Sequence, residues 1–131
     1  MFVDASAMCA VLLAEEDADE IAAKIYSTGG AITSAMAIYE TVLAVARHNG
    51  AGTGAARVDV DELLAVANIK IIEIGVSDGH AALDAFERYG KGRHPARLNM
   101  GDCFAYACAR TRGVPLLFKG DDFSHTDIAA A

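Results

Sequence analysis

The chain has 131 residues, of which 53% are hydrophobic, and a formal net charge of −7. That length and apolar content fit one globular domain, residues 1–131, and exclude a disordered chain. The acidic balance argues against a simple basic nucleic-acid binder. It does not exclude a nuclease, because a metal site is itself built from acids. No apolar run reaches the roughly 18 residues of a membrane span. Met1-Phe2-Val3-Asp4 lacks a basic leader, so no signal peptide is expected. Three cysteines with no Cys-x-x-Cys spacing point to a reduced, cytoplasmic setting.

In chain order, Phe2-Val3 reads as a buried strand ending at Asp4. Ser6 is placed to cap a helix running through Ala14. The acidic patch Glu15, Glu16, Asp17, Asp19, Glu20 opens a second helix, Ala18 to Tyr26, as a solvated helix start. Ala31-Ile32-Thr33 forms a second strand. Ser34 starts a long helix from Ala35 to about Asn49. Gly50, Gly52 and Gly54 connect it to a fourth helix, Ala55 to Asn68. The β-branched run Ile69 to Ile74 is a third strand. Ser77 is expected to cap a fifth helix ending near Tyr89. Residues 90–97 form a Gly- and Pro-containing loop. A sixth helix carries Asp102 and stops at Gly113. Pro115 to Phe118 is a fourth strand, and His125 to Ile128 is a candidate edge strand before fraying alanines. Alternating strands and helices predict an α/β fold, with a small, mostly parallel sheet of four to five strands and helices on both faces.

Three carboxylates stand alone in apolar runs. Asp4 is the only charge between Met1 and Glu15, Glu40 the only one between Lys24 and Arg47, and Asp102 the only one between Arg97 and Arg110. Buried acids are rare unless paired, hydrogen-bonded or metal-bound. Singly, Asp4 serves as a helix cap, Glu40 pairs with Arg47, and Asp102 complements a helix dipole. Together, with Asp121 and Asp122 just past the fourth strand, they suggest one shared site at the carboxyl ends of the strands. Oxygen-only ligands select Mg²⁺ or Mn²⁺, and such a cluster suits phosphoryl chemistry. Lys91, Arg93 and Arg97 concentrate positive charge in the 90–97 loop, either as a solvated loop or as a guide steering a polyanion towards the acids. The histidines lack zinc spacing, and the cysteines sit in apolar helices where thiols are inert.

The chain resembles the PIN-domain ribonucleases and, within them, the VapC-type toxins of toxin–antitoxin pairs. The resemblance rests on Met1-Phe-Val-Asp4-Ala-Ser6, Ser34-Ala-Met-Ala-Ile-Tyr-Glu40, Leu98-Asn99-Met-Gly-Asp102-Cys-Phe-Ala-Tyr-Ala, and Leu116-Leu-Phe-Lys-Gly-Asp121-Asp122-Phe. It implies an endoribonuclease dependent on Mg²⁺ or Mn²⁺, with Asp4 and Asp102 as principal metal ligands and Glu40 as the third acid. Asp121 or Asp122 supplies the fourth acid. Ser6 and Asn99 match supporting positions. The resemblance also implies a homodimer, and a cognate VapB-type antitoxin with which the chain forms a heterotetramer or larger assembly. The exposed part of the first two helices, near Leu12, Leu13, Ile25 and Tyr26, is the expected docking groove. Two other readings are open to these residues. A phosphomonoesterase of the haloacid-dehalogenase type needs a second Asp two residues after the first, where this chain has Ser6. A catalytically silent binding module of the same fold would have lost its metal affinity.

Overall fold

The structure is a computed structural model that describes residues 1–131. Its elements are β1 (Phe2–Val3), α1 (Ala5–Leu12), α2 (Ala18–Thr28), β2 (Ile32–Ser34), α3 (Ala35–Asn49), α4 (Thr53–Val66), β3 (Lys70–Ile72), α5 (Val76–Tyr89), α6 (Met100–Thr111) and β4 (Leu116–Leu117). A short 3-10 helix, Asp122–His125, follows β4.

The four strands form one sheet in the order β3-β2-β1-β4. Every pairing is parallel, with Phe2 opposite both Ile32 and Leu116, Val3 opposite Leu117, and Ser34 opposite Ile72. Successive strand residues face opposite sides of a sheet. Phe2, Val3, Leu116 and Leu117 are all fully or almost fully buried, so the centre of the sheet is covered on both faces, as a parallel sheet requires. β3 is the exposed edge. From β1 the chain steps outward through β2 and β3, then returns to place β4 on the other side of β1. The reversal lies between β1 and β4, which is where open parallel sheets offer a ligand crevice.

Helix α6 is apolar nearly all round. Cys103, Ala105, Tyr106, Ala107, Cys108 and Ala109 are buried, so it lies in the core rather than on the surface. Its far end is fixed by an unforeseen ion pair. Asp78 on α5 is 3% exposed; Arg112 Nη1 lies 2.8 Å from its Oδ1, and Thr111 Oγ1 donates to the same oxygen at 2.6 Å. Arg112 also donates to the Glu73 carbonyl at 2.8 Å. A buried carboxylate needs such partners, and they hold the Asp78 carboxyl down at about 2.

Several local features differ from the sequence reading. Asp4, not Ser6, caps α1: its side chain accepts from the Ser6 amide. Gly75, not Ser77, is the N-cap of α5, because the Asp78 carboxylate accepts from the Gly75 amide at 2.8 Å. Helix α1 stops at Leu12, with Ala14 at φ +50 turning the chain towards α2. The tail forms no edge strand over His125 to Ile128. The 3-10 turn ends at His125, and beyond it a single bridge joins Leu116 to Ala130. The final alanines do not fray: Ala131 donates to the Leu116 carbonyl at 3.0 Å, and Lys24 Nζ donates to the Ala131 carbonyl at 3.3 Å. No helix is long and apolar enough to cross a membrane.

Candidate metal centre

Asp4 follows β1 directly. Its amide donates to the Leu117 carbonyl at 2.9 Å, so the residue sits at the reversal between β1 and β4. It is 4% exposed. One oxygen, Oδ2, accepts from the Ser6 amide at 3.0 Å and from Ser6 Oγ at 2.6 Å. Ser6 Oγ in turn accepts from the Lys119 amide at 3.0 Å. The relay ties Asp4 to the segment after β4 and leaves Oδ1 without a side-chain partner. Burial pushes the Asp4 carboxyl above its ordinary range, opposed by the Ser6 hydrogen bonds.

Asp102 is the third residue of α6. Asn99 and Asp102 form a reciprocal capping box: the Asp102 amide donates to Asn99 Oδ1 at 3.1 Å, and the Asn99 amide donates to Asp102 Oδ2 at 2.8 Å. Here too Oδ1 stays unclaimed. Burial pushes the Asp102 carboxyl up to about 6, against the Asn99 hydrogen bond, and the charges of Asp4 and Asp122 add to the rise.

Glu40 lies on α3, whose N-cap Ser34 accepts from the Ala37 amide. Its carboxyl is pushed up to about 7, first by burial, then by the charges of Asp4 and Asp102. Its carboxylate lies directly over the α-carbon of Gly101 on α6. Arg47 makes no ion pair with it; the ion pairs of the molecule involve other acids. Asp4, Glu40 and Asp102, from three separate elements, therefore share one electrostatic neighbourhood with no lysine or arginine neutralising them.

Asp121 and Asp122 part company. Asp121 is held by His125, whose Nε2 lies 2.9 Å from Oδ2. Asp122 acts on Asp102 through its charge. Of the two, Asp122 is the one without a side-chain partner, and its charge is felt at Asp102. The nearby lysine is occupied elsewhere: Lys119 Nζ bridges Glu15 and Asp17, the latter at 2.7 Å. In the 90–97 loop, Arg93 is engaged with Glu87 at 3.0 Å and stacks over Phe86, whereas Lys91 and Arg97 are exposed and form no ion pair. Bonds from Lys91 N to Leu98 O and from Leu98 N to Tyr89 O pin the loop at its base. All three thiols are pushed up to about 11, mainly by burial, which suits inert core cysteines.

The donor set is carboxylate oxygen throughout, which fits a hard divalent cation. No group of three or more His, Cys, Asp or Glu side chains is packed tightly enough to be a ready-made chelate. That arrangement still fits Mg²⁺, which keeps several waters and is commonly held by one or two carboxylates together with a substrate phosphate. Asp4 and Asp102, each with one oxygen anchored and one free, are suited to that task. The five main surface grooves are lined by other residues. One, about 320 Å³ in volume, lies between α1, α2 and α4 and is lined by Leu12, Tyr26, Leu63 and Val66, with Asp59 and Glu62 beside them. Leu13 packs instead towards Val45, Ala46 and Ala56, and Ile25 is buried.

The parallel sheet with mutually coupled carboxylates beside its reversal point defines an α/β protein with an acidic site. The chain belongs to the PIN domain family, whose sequence model matches residues 1–129. Its curated relatives are VapC ribonucleases. It is 40% identical over 129 residues to "Ribonuclease VapC30" of Mycobacterium tuberculosis, covering 98% of this chain and 96% of that one. It is 38% identical over 130 residues to "Ribonuclease VapC" of Mycolicibacterium smegmatis, covering 99% and 98%. The solved structure of Mycobacterium tuberculosis VapC20, described as a Sarcin-Ricin loop cleaving toxin, superposes with a TM-score of 0.76 over 99% of this chain and 97% of that one. At 16% identity, that likeness speaks for the fold.

Proposed function

We propose that this chain is an endoribonuclease dependent on Mg²⁺ or Mn²⁺ that acts as the toxin of a toxin–antitoxin pair. The observation that carries the reading is the convergence of Asp4, Glu40 and Asp102 without a protein cation. Keeping three acids together in a half-buried setting is unfavourable for folding alone, and it is expected where a divalent ion belongs. Its curated relatives are named as ribonucleases, which supports the substrate class.

Asp4 and Asp102 would hold the ion through their free Oδ1 atoms, with Glu40 and Asp122 placed to bind it or its waters. When bound, such an ion lowers the pKa of a coordinated water and offsets charge on the phosphate. Ser6 fixes the rotamer of Asp4, and Asn99 fixes that of Asp102, so neither must be ordered when substrate arrives. Glu40 is placed to bind the ion or to take a proton from one of its waters. Lys91 and Arg97 offer free positive charge for the RNA backbone.

A VapB-type antitoxin would dock in the groove between α1, α2 and α4. The apolar floor and the acidic Asp59 and Glu62 fit an amphipathic segment carrying basic residues. A homodimer, and a heterotetramer or larger assembly with the antitoxin, completes the reading.

Calorimetric titration with Mn²⁺ tests the metal centre directly. Saturable binding that Asp4→Asn and Asp102→Asn each abolish or severely weaken is expected. No binding at millimolar Mg²⁺ or Mn²⁺ contradicts the enzyme reading and leaves a catalytically silent module of the same fold.

A further inference from the structure

Gly101 is buried in the first turn of α6, immediately before Asp102. A β-carbon built on it would overlap the Glu40 side chain, and its three nearest neighbours would be Glu40 Oε1, Oε2 and Cδ. No other glycine has this relationship with an acid of the site. Gly101 is not required by its backbone, which is helical, whereas Gly29, Gly50, Gly92, Gly113 and Gly120 have positive φ. Glycine is also a poor helix residue. Its place here has a different cause: the missing side chain is the space that the Glu40 carboxylate occupies.

We propose that Gly101 is a positioning residue whose bare α-carbon seats the Glu40 carboxylate beside Asp4 and Asp102. Any side chain at 101 pushes that carboxylate away while leaving Asp102 and its Asn99 cap in place. Because the obstructed atoms are the far end of a flexible side chain, Glu40 can swing aside and the fold can survive. The catalytic meaning of the seat rests on the metal-dependent nuclease reading; the packing relationship does not.

The test is a double-mutant cycle on metal-free protein, using Gly101→Ala, Glu40→Ala and the pair, with melting temperature as the first readout. Against Glu40, Gly101→Ala is expected to shift the melting temperature by several degrees relative to its shift in the Glu40→Ala background, because only against Glu40 must a carboxylate leave its seat. In the Glu40→Ala background it is expected to leave the melting temperature unchanged or raise it, because alanine suits a helix better than glycine. Mn²⁺ affinity is the second readout: Gly101→Ala should weaken it to the level of Glu40→Ala, and the pair should be no weaker. Equal melting shifts in both backgrounds, or parental Mn²⁺ affinity in Gly101→Ala where Glu40→Ala weakens it, overturn the proposal. If Gly101→Ala alone fails to fold, a folded double variant supports the seat and an unfolded one overturns it. Coupled melting shifts in a protein that binds no Mn²⁺ support the seat and contradict the metal reading instead.

Discussion

Asn99 and Asp102 cap each other across the first turn of α6, each backbone amide donating to the other's side chain at 3.1 Å or less. The same carboxylate that closes the helix feels the charges of Asp4 and Asp122. Helix architecture and site chemistry are thus joined in one residue, and their separation can be tested.

Asp102→Asn keeps an oxygen able to accept from the Asn99 amide but removes one of the clustered charges. RNA cleavage should fall by more than the roughly 10–100-fold that losing a supporting partner costs a metal site. The metal-free protein should melt a few degrees higher at pH above 7, because repulsion with Asp4 and Glu40 is relieved. Cleavage assays and thermal melts on one preparation check both halves.

The raised acids set the pH dependence. Glu40 rises from an ordinary 4.5 to about 7, and Asp102 from 3.8 to about 6. The folded state therefore holds more protons than the unfolded state between these values. Stability of the metal-free protein should be highest towards the acid side of this window and fall as pH rises from about 4 to about 7. A divalent ion opposes the loss, so Mg²⁺ should raise the melting temperature more at pH 8 than at pH 5. Melts with Mg²⁺ or EDTA across that range measure the crossover.

Asp122→Asn should reduce cleavage more than Asp121→Asn does. Asp122 acts on Asp102, while Asp121 is taken by His125. Side-by-side rates at saturating Mg²⁺ decide the order.

The Asp78–Arg112 pair belongs to stability rather than catalysis. Arg112→Ala strands a buried carboxylate. Breaking a buried pair costs about 3–5 kcal/mol, and the 28% exposure of the Arg112 side chain brings the expected loss to about 2–3 kcal/mol. Because Asp78 is depressed from 3.8 to about 2, its contribution is complete above 3.8 and disappears as pH falls towards 2. Urea unfolding at neutral and acid pH should show the variant and the parent converging in acid.

The acids Asp4, Glu40 and Asp102 were legible because a single charge in an apolar run has few explanations. Ser34 and Asn99 were legible from their places before helices. Asp78 was not, because it lies among ordinary surface-like polar residues and its partner is 34 positions away. Gly101 was not, because its contribution is an absent atom, which leaves no pattern in a sequence. The sequence offered no way to tell Asp121 from Asp122, because the His125 partner that ties up Asp121 lies one 3-10 turn further on. The tail misled because its apolar residues join the sheet through one bridge rather than a strand.

Cleavage of total cellular RNA by the purified chain, with Mg²⁺ or with EDTA and beside Asp4→Asn, tests the central claim most directly. Discrete fragments that require Mg²⁺ and vanish in Asp4→Asn are the predicted result. RNA left intact with Mg²⁺, or fragments that persist in EDTA and in Asp4→Asn alike, would contradict it.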